Sequence, residues 1–302
     1  MKVAYLMLVH RNPQLLARAI RALSTADSAF FIHVDRKSKI ENFSGISGEN
    51  VFFCERRIPV HWSEFSNIEA ILCVIQQALS SPVKYDYFVL MQGADYPLRS
   101  SEYIHGFLDQ NRGWEFMSLV KMPAAGYPLS KINIFRFTSD KPIRRFTLKV
   151  LAKLGLATRD YRKHLGDLDA YAGDACWALT RDACEYILEF TERNPHVSSY
   201  FRYTFVPEES FFHTILGNSP FRVRTRRSLL YRYWPASGPH PELLTAEHLE
   251  FFEGQGKIWI EDQFGAGEAL FARKFSDDNL DLLDRIDAMI RQKEGTNYLA
   301  AK

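Results

Sequence analysis

The sequence predicts an α/β fold, with a mostly parallel central sheet flanked by helices. Two observations predict it. Short apolar runs alternate with helix-periodic segments through the first half of the chain, and acidic residues stand where two of those runs end. Strands joined through helices pair in parallel and are covered on both faces, so they read as unbroken apolar stretches.

Val3–Val9 is the first strand. Pro13 suits the first turn of a helix, where a missing N–H costs nothing, and Leu16, Ile20 and Leu23 recur at helical spacing. Residues 29–34 form a second strand ending at Asp35, and 51–54 a third. A helix follows over 65–79. The fourth strand, 87–91, runs into Gln92-Gly93-Ala94-Asp95-Tyr96-Pro97. Another helix spans 101–111, and 115–120 returns as a strand. Ligands of such sheets bind beyond the carboxyl ends of the strands, where Asp35 and Asp95 both stand.

Residues 123–166 break the alternation. This segment is strongly basic: from Lys131 to Lys163 its cations face only Asp140 and Asp160. Within it, 144–156 has Phe146, Val150 and Leu154 on one helical face. It reads either as a solvated helix packed on the core or as a contact for anionic lipid or an anionic acceptor, through 141–163. Core-like pattern resumes at 173–180, a helix covers 181–193, and another begins near Glu208. Ser276 caps a last helix with Asp277 and Asp278 in its first turn and Leu280, Leu283, Ile286 and Ile290 on its buried face. The 302 residues fit a single domain.

Composition narrows the classes. Hydrophobic residues make up 46% and charged residues 25%, which suits a packed core and argues against disorder. The formal net charge of +2 gives no reason to expect nucleic acid. No apolar stretch is long enough to span a bilayer, so a cytoplasmic protein, resting at most on an inner membrane, is expected. The four cysteines form no Cys-x-x-Cys pair and read as buried free thiols.

Several chemistries are missing by motif: there is no Gly-x-Gly-x-x-Gly, no phosphate loop, no His-Glu-x-x-His and no Gly-x-Ser-x-Gly elbow. One Asp-x-Asp occurs, Asp167-Leu168-Asp169, but no buried strand precedes it, and a lone Asp95 is a poor divalent-cation site. No metal is therefore expected; Asp167 and Asp169 are the alternative. Without a metal, fixed cations must offset any diphosphate. Arg273-Lys274, inside Phe271-Ala272-Arg273-Lys274-Phe275, can do so, though the pair also suits surface charge beside core aromatics. Glu208 and Glu209, in Val206-Pro207-Glu208-Glu209-Ser210, either cap a helix or include a general base.

In order along the chain, these segments resemble glycosyltransferase family 14, the core-2/I-branching N-acetylglucosaminyltransferases and peptide O-xylosyltransferases. The carriers are Ala4–Val9 with His10, Asn12 and Pro13; Ile32-His33-Val34-Asp35-Arg36-Lys37-Ser38; His61-Trp62 with Ser66 and Glu69; the 92–98 loop; 173–181; 207–216; and 271–275. Glu209-Ser210-Phe211-Phe212-His213-Thr214 looks closest to the xylosyltransferase branch. The resemblance implies a GT-A-like fold with a nucleotide-sugar-binding half (1–122), a variable basic insertion (123–166) and an acceptor and catalytic half (167–302). It implies a UDP-sugar donor, no cofactor or essential metal, and a glycan, lipid-linked glycan or protein acceptor. Glu209 matches the family's base, Arg273 and Lys274 its diphosphate-binding pair, and Asp35, Trp62 and Asp95 its donor pocket. Asp174, Glu208 and Trp177 are candidate contacts for acceptor or donor. The chain departs from the family at Trp62-Ser63-Glu64, where Trp-Gly-Gly is usual, and at Gly173-Asp174-Ala175-Cys176-Trp177, where Gly-Ser-x-Trp is frequent. Eukaryotic members carry an anchor and disulfides, so the expectation is a bacterial enzyme of surface-polysaccharide synthesis.

Overall fold

The computed structural model describes residues 1–136, 150, 157–235 and 241–300, with side chains to residue 294. The helix expected over 144–156 lies outside the described residues except at Val150, and so does much of the basic segment. In chain order the strands are β1 (Val3–Val9), β2 (Ser28–Val34), β3 (Val51–Phe53), β4 (Tyr87–Gln92), β5 (Asp95–Pro97), β6 (Glu115–Phe116), β7 (Val120–Lys121), β8 (Tyr171–Ala172), β9 (Ala178–Thr180), β10 (Thr225–Arg226), β11 (Leu230–Arg232), β12 (Trp259–Asp262), β13 (Gly265–Glu268) and β14 (Phe271–Arg273). The helices are α1 (Pro13–Leu23), α2 (Ser66–Leu79), α3 (Ser101–Gln110), α4 (Ser130–Asn133), α5 (Tyr161–Leu165), α6 (Arg181–Arg193), α7 (Pro195–Phe201), α8 (Phe211–Gly217), α9 (Ala246–Glu253) and α10 (Leu280–Ala300).

The central sheet has the order β10-β6-β9-β4-β1-β2-β3, and only β9 runs against the others. β1 is apolar throughout because both its faces are buried. Val3, Tyr5, Met7 and Val9 join a core with α1, α3 and α10; Ala4, Leu6 and Leu8 join a second core with α2, α6 and α8.

One expected strand, 115–120, is interrupted, and the core-like segment 173–180 is strand only in part. Over 115–120, Glu115 and Phe116 stay in the central sheet, while Val120 and Lys121 pair with β8. The break falls at Ser118, whose hydroxyl turns to the Asp174 carboxylate at 2.9 Å. Over 173–180 only Ala178–Thr180 is strand. The carboxylates 208 and 209 sit in a 3-10 turn, Pro207–Glu209, before α8 rather than in a first α-helical turn.

A second sheet, β11-β14-β5, was not visible in the sequence pattern. It is braced by the C-terminal segment. Asp277 accepts from Leu15 N at 2.7 Å and Gln14 N at 3.2 Å, and so caps α1 from across the chain. Asp287 of α10 accepts from Arg18 at 2.7 Å and from the Tyr96 hydroxyl at 2.7 Å. β5 is thus tied to both helices.

Candidate active site

β14 lies between β11 and β5, and the register puts Arg232, Arg273 and Asp95 side by side in one rung. Arg273 donates two N–H groups to the Asp95 carboxylate, at 2.5 and 2.7 Å, and a third to Gln92 Oε1 at 3.2 Å. Its neighbour Arg232 pairs with Asp174, which also accepts from the Ser118 and Ser228 hydroxyls, both at 2.9 Å. Each buried guanidinium is therefore matched to its own carboxylate, the condition under which buried charge is tolerated.

Lys274 is different. It is half-buried and, among the described residues, has no acidic partner. Burial pulls its pKa down, and the nearby Arg273 and Arg11 pull it further. A desolvated ammonium among guanidinium groups is a place short of an anion. Arg11 follows His10 at the end of β1. Burial, Arg11 and Lys37 lower the His10 pKa against the pull of Asp35, so these groups stand close together. Asp35, at the end of β2, accepts from Lys37 N at 2.9 Å and Val60 N at 3.3 Å. Asp35, His10 and Arg11 therefore stand near the carboxyl ends of β2 and β1, and Arg11 also acts on Lys274, the neighbour of the Arg273–Asp95 pair.

Glu209 lies in the Pro207–Glu209 turn that precedes α8. Val206 sits in the left-handed region at φ 48°, which costs a β-branched residue about 1–3 kcal/mol. The turn it opens carries both carboxylates. Lys131 donates to Glu209 Oε2 at 2.9 Å while lying over the Tyr127 ring at 4.6 Å, and the Glu209 side chain is 20% exposed. Gly173 N donates to the Glu209 carbonyl at 2.9 Å. A Cβ on Gly173 would stand 1.7 Å from the Ser118 carbonyl oxygen, so only glycine permits this approach. The Glu209 backbone is thereby tied to the residue next to Asp174. Tyr127 senses both Glu209 and Arg232, and burial, with Glu209 adding to it, raises its pKa to about 12.

Glu208 is 7% exposed, and its Oε2 has no hydrogen-bond partner. Burial, with the neighbouring Glu209 charge adding to it, raises its pKa to about 7 against the pull of its own backbone N–H, Asn67 and Lys131. Trp62 is 64% exposed and packs edge-on against Phe205 at 5.8 Å, beside the Val206 turn. Ser63 adopts φ 62°, the left-handed conformation that the glycine usual at this position takes without strain. Trp177 is 2% exposed and packs on Phe212 at 6.1 Å, which puts it in the core.

Sequence reasoning missed Lys131, Arg232, Arg11 and Tyr127. Lys131 was counted with the basic segment, and nothing in the pattern sets Arg232 apart from its aromatic neighbours. Asp169 is held by Lys121 Nζ at 2.6 Å, and no group of three or more potential metal-ligating side chains forms among the described residues. No described helix is long and apolar enough to cross a membrane. All four cysteines are free; Cys73, expected to be buried, is only half-buried.

A family model described as Branch, the core-2/I-branching enzymes, matches residues 3–252. Xylosyltransferase 2 of Rattus norvegicus is 28% identical over 235 residues, covering 72% of this chain and 25% of the relative. Xylosyltransferase 1 of the same organism is 27% identical over 234 residues, covering 72% and 26%. The chain thus spans about a quarter of the length of these relatives. Among solved structures, the apo form of the bifunctional glycosyltransferase WbbM matches with a TM-score of 0.36 at 12% identity, over 75% of this chain and 38% of that one.

Proposed function

The chain belongs to the core-2/I-branching enzyme family, and from that premise we propose that it is an inverting glycosyltransferase that moves a sugar, xylose or N-acetylglucosamine, from a UDP-sugar to an acceptor hydroxyl without a metal ion. The observation that carries the reading is Lys274, a half-buried cation beside Arg11 and Arg273 with no anion of its own among the described residues. A diphosphate supplies the missing charge.

The reaction is a single in-line displacement. The acceptor oxygen attacks the anomeric carbon as its proton passes to the Glu209 carboxylate. The bond from that carbon to the diphosphate breaks, and UDP leaves with the electron pair. Lys274 and Arg11 offset the charge that develops on it. Arg273 is spent on Asp95 and Asp174 on Arg232, so these residues act by fixing β14 and the Gly173 segment. Asp35 and Trp62 are assigned to the nucleoside end of the donor. Lys131 orients Glu209. A glycan, lipid-linked glycan or protein supplies the hydroxyl, in surface-polysaccharide or glycan synthesis.

The test is a thermal-shift titration with UDP and several UDP-sugars, with and without EDTA, followed by a screen for UDP release with candidate acceptors. Stabilisation by UDP that EDTA leaves intact, with acceptor-dependent UDP release, is expected. Loss of binding and release in EDTA overturns the metal-free mechanism in favour of Asp167 and Asp169. UDP binding with no release for any acceptor points to a binding protein.

A further inference from the structure

Away from this site, a groove of about 890 Å³ opens between β3, α2 and α6. Cys54, just past the end of β3, and Cys73, on α2, both line it. Cys73 is half-buried and its thiol points toward the Arg56 carbonyl oxygen at 3.7 Å. Cys54 is buried, and its hydrogen has two acceptors in reach, Gln77 Oε1 at 2.8 Å and the Cys73 sulphur. Gln77 is one helical turn from Cys73, so the two sulphurs and the amide share one wall of the groove.

We propose that Cys73 is a modification site for low-molecular-weight disulfides such as oxidised glutathione, and that Cys54 is its resolving thiol. Exposure gives the two sulphurs unequal roles: Cys73 is half-buried and open to the groove, and Cys54 is buried behind it. A thiolate at Cys73 accepts the Cys54 S–H, and a charged sulphur is a stronger acceptor than the Gln77 amide. The Cys54 contact lowers the Cys73 pKa to about 7, with Arg56 assisting against burial, while Cys54 is pushed up by donating to Cys73 and by burial. Cys73 therefore attacks and Cys54 keeps its proton until the second step. The other charged groups facing the groove are Glu55, Glu69 and Glu192.

The exchange balances. The Cys73 thiolate attacks one sulphur of the small disulfide; a new S–S bond forms, the old one breaks, and one small thiolate leaves. Cys54 then loses its proton and attacks the Cys73 sulphur, expelling the second thiol. The small disulfide is reduced to two thiols, and the two protein thiols are oxidised to one disulfide. That bond staples the exit of β3 to α2, next to Arg57 and Val60, which donate to the Asp35 carbonyl and carboxylate respectively.

Cys176 and Cys184 are internal controls. Burial raises the Cys176 pKa to about 12 and lifts Cys184 well above the ordinary thiol range. The experiment treats the reduced full chain with oxidised glutathione near pH 7 and reads intact and peptide masses. The wild type should lose two hydrogens, with Cys54 and Cys73 recovered in one cross-linked peptide pair. Cys54→Ser should instead retain one glutathione on Cys73, and Cys73→Ser should take none. Brief iodoacetamide labelling of the unaltered chain needs no variant, and should mark Cys73 about tenfold or more faster than the other three. Equal labelling of the four, a persistent wild-type adduct on Cys73, or adducts on Cys176 or Cys184 overturn the proposal. None of these readings depends on sugar transfer.

Discussion

Arg232 and Arg273 are cross-strand neighbours in β11 and β14, yet each is neutralised by a different segment: Arg273 by Asp95 of β5 and Arg232 by Asp174, which precedes β9. Two adjacent guanidinium groups repel unless both partners are in place. Asp174→Asn keeps the shape and removes the charge, leaving Arg232 buried beside Arg273. The expected loss is about 3–5 kcal/mol in urea unfolding. Adding Arg232→Met should recover part of it, because no uncompensated charge then remains. A double variant no more stable than Asp174→Asn alone would show that the two residues do not act as a pair.

Lys274→Ala removes the unpaired cation. UDP affinity should fall about tenfold or more, the range of a charge-assisted contact, with unfolding little changed because Lys274 forms no ion pair among the described residues. Titration calorimetry at two salt concentrations checks it. Unaltered affinity would move the phosphate site elsewhere.

How much of this was legible differs by element. The alternation of 3–9, 29–34 and 87–91 with helical segments was enough for the parallel sheet, because strands buried on both faces are apolar at every position. The helix expected over 181–193 coincides with α6, whose first turn the Thr180 side chain caps in the structure. The β11-β14-β5 sheet escaped because its strands have three residues each and pair across long sequence gaps. Period cannot register in three residues. Glu209, Asp95, Arg273 and Lys274 follow from the family pattern, but Lys131 and Arg11, and the pairing of Arg273 with Asp95, arise only through the fold. That Asp95 holds Arg273, rather than each reaching for a ligand, is a fact of register that residue types cannot reveal.

Gly173→Ala tests whether the backbone contact to Glu209 matters. The added methyl meets the Ser118 carbonyl at 1.7 Å, so the strand or the 207–209 turn must move. Overpacking of this kind costs about 1–3 kcal/mol. Turnover should fall further than stability alone explains, because the Gly173 N–Glu209 O bond is lost. Wild-type turnover in a folded variant would separate Gly173 from the placement of the base.

Glu209→Gln retains the size of the side chain and removes its basicity. Turnover should drop by about 10²-fold or more while UDP affinity holds. A variant turning over at the wild-type rate would remove Glu209 from the proton transfer.

Glu208 reports on the same turn through pH. Its folded-state pKa, about 7, lies above the ordinary carboxylate value of 4.5. The folded chain therefore binds a proton that the unfolded chain has already released. The stability this contributes is complete below about pH 4.5 and is lost as pH rises through 7. The size is of order 3 kcal/mol, at about 1.4 kcal/mol per pKa unit. Glu208→Gln cannot ionise, so it should be no more stable than wild type near pH 4.5 and increasingly more stable toward pH 8. Urea unfolding of both proteins across that range reads the difference directly. A pH-independent gap would place the Glu208 carboxyl in water rather than under the Val206 turn.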